Sequence, residues 1–167
     1  MNNTLKVAAH GDREIMMTRV LDAPRHLVFD AFTKPELVKQ WLLGPPGWSM
    51  PVCEIDLRPG GKYRYVWAND KGTRMAMGGV YKDIVVPERI VATEKFDDAW
   101  YPGEAIGTTV LIERDGMTTV RQTVLYESRE ARDAVIKSPM EQGVAISYDR
   151  LERLLTSDPM RRTGKPA

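Results

Sequence analysis

A chain of 167 residues with a formal net charge of +1 is long enough for one sizeable core and carries no basic field for nucleic acid or a membrane surface. Its 43% apolar and 28% charged residues are those of a globular domain, and no apolar run approaches the ~18 residues of a membrane span. The opening MNNTLKVAAHGD lacks the charged start and apolar stretch of a secretory signal, and the single cysteine, Cys53, cannot form an internal disulfide, so a cytoplasmic protein is expected.

Residues 1–12 and 157–167 are polar and read as mobile tails around one domain, 13–156. The first strand, about 13–21, places Ile15, Met17 and Leu21 on one face and Met16, Thr18 and Val20 on the other. Pro24 then opens a short helix with Leu27, Val28, Ala31 and Phe32 on one side. Thr33 and Glu36 have the spacing of a capping box for a second short helix bearing Leu37 and Trp41. GPPGW, 44–48, is a loop.

Six strands follow, at about 48–57, 61–68, 74–84, 89–96, 105–114 and 117–126. Their hairpin signals are Arg58-Pro59-Gly60-Gly61, with proline and glycine where a type II turn needs them, the polar loop 69–72, Val86-Pro87-Glu88 and Asp115-Gly116. Gly78-Gly79 inside a strand suggests a bulge or bend. Ser128 caps a helix over 129–137. The last and longest helix, about 139–155, opens with a Ser138/Glu141 capping box. It carries Met140, Val144, Ser147 or Tyr148, Leu151, and Leu154 or Leu155 as an apolar stripe. Glu141, Asp149, Arg150, Glu152 and Arg153 fill its other positions. Gly143 interrupts the helix, which costs roughly 1 kcal/mol against alanine; it is either a tolerated glycine in a core helix or a sign of close backbone approach or of space kept free. Sequential antiparallel strands closed by one long amphipathic helix predict an α+β fold in which a curved sheet wraps that helix.

The segments APRHLVFDAFTKPELVKQW, GPPGW, CEIDLRPGGKYRY, GGVYKDIVVPERIV and MEQGVAISYDRLERLL, in that order, resemble the bacterial branch of the activator of heat-shock-protein-90 ATPase homologue (AHSA-like) family. That family lies in the START-like, SRPBCC or Bet v 1-like superfamily. The resemblance covers about residues 13–156. It implies the helix-grip fold, with a cavity between sheet and terminal helix. It also brings a chaperone and a second copy of the chain into view as partners. The eukaryotic activators, however, bind their chaperone through a separate N-terminal domain, for which 167 residues leave no room.

Chemistry-bearing motifs are few. His10 and His26 are the only histidines, and neither metal-ligand spacings nor phosphate or dinucleotide fingerprints occur, so no metal or cofactor is expected. Cys53 reads as a small buried hydrophobe. What stands out is adaptable apolar bulk at the expected grip. Trp41 and Trp100 contribute from loops and helix; Tyr65, Trp67, Met75, Met77, Phe96 and Val110 from strands; Met140, Gly143 and Val144 from the last helix. Each alone could be plain core filling; together they are what lines an apolar small-molecule pocket. Arg121 and Glu94 are ordinary solvated residues if they point outward, the commoner case. Inward, each demands a partner or a ligand, and Arg121 is carried as a cavity candidate. The expected function is non-enzymatic binding of an apolar or amphipathic molecule, with an interaction module or a cyclase- or hydrolase-like enzyme as alternatives.

Overall fold

A computed structural model of the protein describes residues 4–99, 101, 103–157 and 160. Eight strands form one antiparallel sheet: β1 (Lys6–His10), β2 (Glu14–Leu21), β3 (Trp48–Ile55), β4 (Lys62–Asn69), β5 (Arg74–Val85), β6 (Arg89–Phe96), β7 (Ala105–Arg114) and β8 (Met117–Leu125). Their order is β1-β2-β8-β7-β6-β5-β4-β3, a six-strand meander whose last member pairs back onto β2. Four helices complete the chain: α1 (Arg25–Thr33), α2 (Pro35–Trp41), α3 (Arg129–Ile136) and α4 (Met140–Leu155).

The turns follow local chemistry. Gly61 N donates to Arg58 O at 2.8 Å, with Gly60 at φ +85°, as a type II turn requires. Asp115 and Gly116 both have positive φ, 54° and 76°, which makes the β7–β8 connection the type I′ turn matched to sheet twist. At Gly79 a Cβ would overlap the Thr93 carbonyl, so the residue marks a close approach of two backbones. There the Thr93 hydroxyl accepts from Val80 N at 2.9 Å, and the register shift falls a little later, between Tyr81 and Asp83.

Three local expectations are corrected. Residues 1–12 are not simply a tail, because Lys6–His10 pair with β2 from Lys6↔Thr18 to His10↔Glu14. This edge strand is almost wholly exposed, so it has no apolar alternation to announce it. Arg132 of α3 pins its hairpin by donating to the carbonyls of Gly11 and Glu14. Thr33 does not cap α2. It ends α1 and donates to Phe29 O, and Lys34 with Pro35 begins the next helix. Ser138 caps α4 only weakly: its hydroxyl donates back to Val135 O at 2.5 Å and accepts from Met140 N at 3.4 Å, while Pro139 is the N-cap residue and makes no side-chain cap bond. In both cases two helices follow each other so closely that the hydroxyl satisfies the last carbonyls of the first. Ser128 caps α3 as expected, accepting from Ala131 N. Most of the expected C-terminal tail, 157–167, lies outside the described residues.

The core sits where β2, β8 and α1 meet the second half of α4. Ile15, Leu21, Val28, Val120, Leu151 and Leu155 are there essentially without solvent exposure. Inward on β2, between Met17 and Leu21, comes Arg19, 5% exposed. Its guanidinium donates to Asp149 at 2.9 Å and Glu152 at 2.7 Å, so two residues on the expected solvent side of α4 fasten the helix to the sheet. Arg150 is tied as well, donating to Gly44 O at 2.6 Å.

Candidate functional site

Beyond that packed zone, the first half of α4 stands off the sheet and leaves a cavity of about 720 Å³. Small side chains create the space: Ala92 on β6, Gly107 and Thr109 on β7, and Gly143 on the helix. A Cβ on Gly143 would meet only Pro45 Cδ, at 3.7 Å, so this glycine keeps room and does not mark close packing. Along β4, alternation aims Tyr63, Tyr65 and Trp67 at the cavity as a ladder, with ring centroids 5.1 Å and then 5.8 Å apart. A second aromatic group, Phe32, Trp41 and Tyr148, closes the side toward the packed zone.

Most polar groups of this wall are already engaged. Trp41 Nε1 donates to Ala31 O and Trp67 Nε1 to Leu42 O, which fixes both indoles. Tyr63 donates to Thr93 O at 2.6 Å. From α4, the Tyr148 hydroxyl donates to Gln122 Oε1, and Gln122 Nε2 donates to Thr109 Oγ1, a relay from helix to β8 to β7. Burial pushes the Tyr148 and Tyr63 hydroxyls far above the ordinary tyrosine range, so both stay neutral donors.

Glu94 is different. It points inward from β6, and its carboxylate occupies the space that a side chain at Gly107 would take. Burial alone pushes its pKa up to about 7, with no basic group or donor among the described residues to offset the desolvation.

Of the residues expected at the cavity, Trp41, Tyr65, Trp67, Met77 and Phe96 line it from sheet and helix, and Met140, Gly143 and Val144 from α4. Met75, 44% exposed, stands at the rim. Trp100 lies outside the described residues. Val110 and Arg121 are corrected: neither borders the cavity. On β7 the inward positions are Ala105, Gly107, Thr109 and Leu111, which turns Val110 outward, and Arg121 pairs with it across the ladder on the same outer face. Sequence reasoning weighs Glu94 for an inward place without carrying it as a candidate, and misses Tyr63, Tyr81, Gln122 and Thr109. The signal was there in β6, where Glu94 shares parity with Ile90, Ala92 and Phe96.

Elsewhere, a shallow cleft of about 430 Å³ at the β3–β4 turn is bordered by Glu54, Ile55, Asp56, Arg58, Gly60 and Lys62, mostly charged side chains. Among the described residues, no three His, Cys, Asp or Glu side chains come together as a metal site would need. Burial raises the Cys53 thiol to about 11, the opposite of an activated nucleophile. Among the described residues no helix is long and apolar enough to cross a membrane.

A curved antiparallel sheet gripping a C-terminal helix, with a cavity under the helix's first half, defines the helix-grip class of α+β proteins. A family model described as Activator of Hsp90 ATPase homolog 1-like protein matches residues 22–156, and the chain belongs to that family. A crystal structure of a protein from Rhodobacter sphaeroides is similar at 28% identity with TM-score 0.86, covering 91% of this chain and 97% of that one. One from Chromobacterium violaceum shares 32% identity with TM-score 0.76, over 87% and 99% of the two chains. The AHSA1-like protein from Aeromonas hydrophila, 16% identical, has the same fold with TM-score 0.68 over 86% and 96%. No curated protein matches.

Proposed function

We propose that the protein holds an apolar or amphipathic small molecule between its sheet and the first half of α4. The observation that carries this reading is the cavity itself. Its 720 Å³ is the size of a small-molecule site, and its wall is made of aromatic and methionine side chains that adapt to an apolar guest. Membership of the family supports a module that binds a ligand or a partner. The cavity favours the ligand, because a contact surface for a protein needs no interior space. Catalysis finds less support, since the titratable groups that face Glu94 are tyrosines held above their ordinary range, which do not exchange a proton with it near neutrality.

Titration with the neutral fluorescent probe N-phenyl-1-naphthylamine tests the reading. Saturable binding with a blue-shifted emission is expected for the parent, and its loss in Gly143→Leu, whose side chain enters the cavity. Absence of binding to the parent would overturn it. Native mass spectrometry of freshly purified protein gives an independent readout: a small-molecule adduct present in the parent and missing in Gly143→Leu.

A further inference from the structure

The cavity wall has one charged side chain among the described residues. Among the described residues no Lys, Arg or His borders the space, and Glu94 is the only carboxylate. Glu94 is half-buried, and a carboxylate set in an apolar wall with no cation or donor among the described residues is costly, so such a group is normally absent or paired. Here the protein does the reverse. Gly107 is kept without a side chain where the carboxylate sits, so the group has a built place that opens onto the cavity. Around it stand aromatic rings. Tyr63, Tyr65, Tyr101 and Tyr126 all feel its charge, and Tyr63 and Tyr65 also border the cavity. Of the neighbouring hydroxyls, that of Tyr63 is committed elsewhere, to Thr93 O.

We propose that the cavity selects a lipophilic amine, its apolar body between the aromatic walls and α4 and its protonated nitrogen against the Glu94 carboxylate. This rests on the small-molecule reading above and names the class of molecule. The alternatives satisfy the carboxylate less well. A fatty acid or other anion would set carboxylate against carboxylate with no basic residue to mediate. A neutral apolar guest would bury Glu94 further and leave it unpaired. An ammonium satisfies the carboxylate by a charge-assisted hydrogen bond, and the ring faces add cation–π attraction. The groups facing Glu94 are tyrosines from β4, from the segment before β7 and from the end of β8. All are held above the ordinary tyrosine range, and Glu104, which also acts on Tyr63, is exposed. Among the described residues of the wall, Glu94 is therefore the one group that changes charge near neutrality.

Displacement of the bound neutral probe by decylamine, decanol and decanoate tests this at matched chain length. At pH 8 decylamine is expected to displace the probe at a concentration about tenfold or more below that of decanol, the value of a hydrogen bond to a charged group. Decanoate is expected to be the weakest. Glu94→Gln, which keeps the volume and removes the charge, should abolish the amine preference while neutral-probe binding persists. Gly107→Ala, which crowds the carboxylate, should reduce it. Lowering the pH to 5 should shrink the amine advantage in the parent and leave Glu94→Gln unaffected. Equal displacement by amine and alcohol, or a preference that survives in Glu94→Gln, overturns the inference and leaves the cavity reading standing. A parent that binds no neutral probe and no amine strikes the cavity reading first.

Discussion

The two halves of α4 solve different problems with one helix. In the second half Ser147, Tyr148, Leu151 and Leu155 are buried and Glu152 is tied to Arg19, so sheet and helix are in close contact. In the first half Met140, Gly143 and Val144 are only half-buried, and across from them β6 and β7 offer Ala92, Gly107 and Thr109. The contrast teaches that the helix is anchored at one end so that it can stand clear at the other. Stability and space are then separable properties of neighbouring turns, and substitutions should affect them separately.

The largest effect is expected from Leu151→Ala, at zero exposure in the packed half: about 2–5 kcal/mol lost on denaturation, with probe binding affinity retained by the folded fraction. Glu94→Gln should act in the opposite direction and only above a certain pH. Its folded pKa, about 7, exceeds the 4.5 of the free carboxyl, so the unfolded chain gives up the proton first as pH rises. The native state therefore bears no ionisation cost below about pH 4.5, an increasing one between 4.5 and 7, and the full cost above. Denaturation curves should show Glu94→Gln nearly equal to the parent at pH 4 and more stable at pH 8, by on the order of 3 kcal/mol at roughly 1.4 kcal/mol per pKa unit. A parent as stable as the variant at pH 8 would mean that Glu94 is better solvated than its position implies.

Glu152→Ala comes next. It removes one of two carboxylates from a buried guanidinium, and a loss of about 1–3 kcal/mol is expected because Asp149 remains. An effect near zero would show that Asp149 alone holds Arg19. The smallest change is Gly143→Ala. Its Cβ meets nothing closer than 3.7 Å, so only helix propensity acts, and stability should rise by up to about 1 kcal/mol with probe binding intact.

The fold was legible because its signals are local. Asp115-Gly116 and Pro59-Gly60 dictate their turns whatever surrounds them, and the Met140-to-Leu155 stripe survives the interruption at Gly143. The packed half of α4 was only partly readable. Arg19 shares parity with Ile15, Met17 and Leu21, yet a charge there is expected outside until its partners on α4 are seen, and Glu152 was placed on the solvent side for the same reason. The cavity was readable in kind and blurred in detail. A strand facing a cavity loses its polar–apolar alternation, since inward positions such as Thr109, Gln122 and Glu94 are polar while outward Val110 is apolar. Parity in β7 is therefore fixed by the ladder and not by composition, which is why Val110 reads as inward; in β6 the parity of Ile90, Ala92 and Phe96 is legible, and only the charge of Glu94 argues against its inward place. β1 was missed because an edge strand held by backbone bonds carries no burial pattern.

The claim that one half of α4 packs while the other receives a guest is tested most directly by methyl NMR during titration with the neutral apolar probe. The resonances of Met77, Met140 and Val144 should shift progressively and saturate, while those of Leu151 and Leu155 stay in place. Shifts confined to surface methyls such as Val86 and Ile112, or no shifts at all with the fold intact, would contradict it.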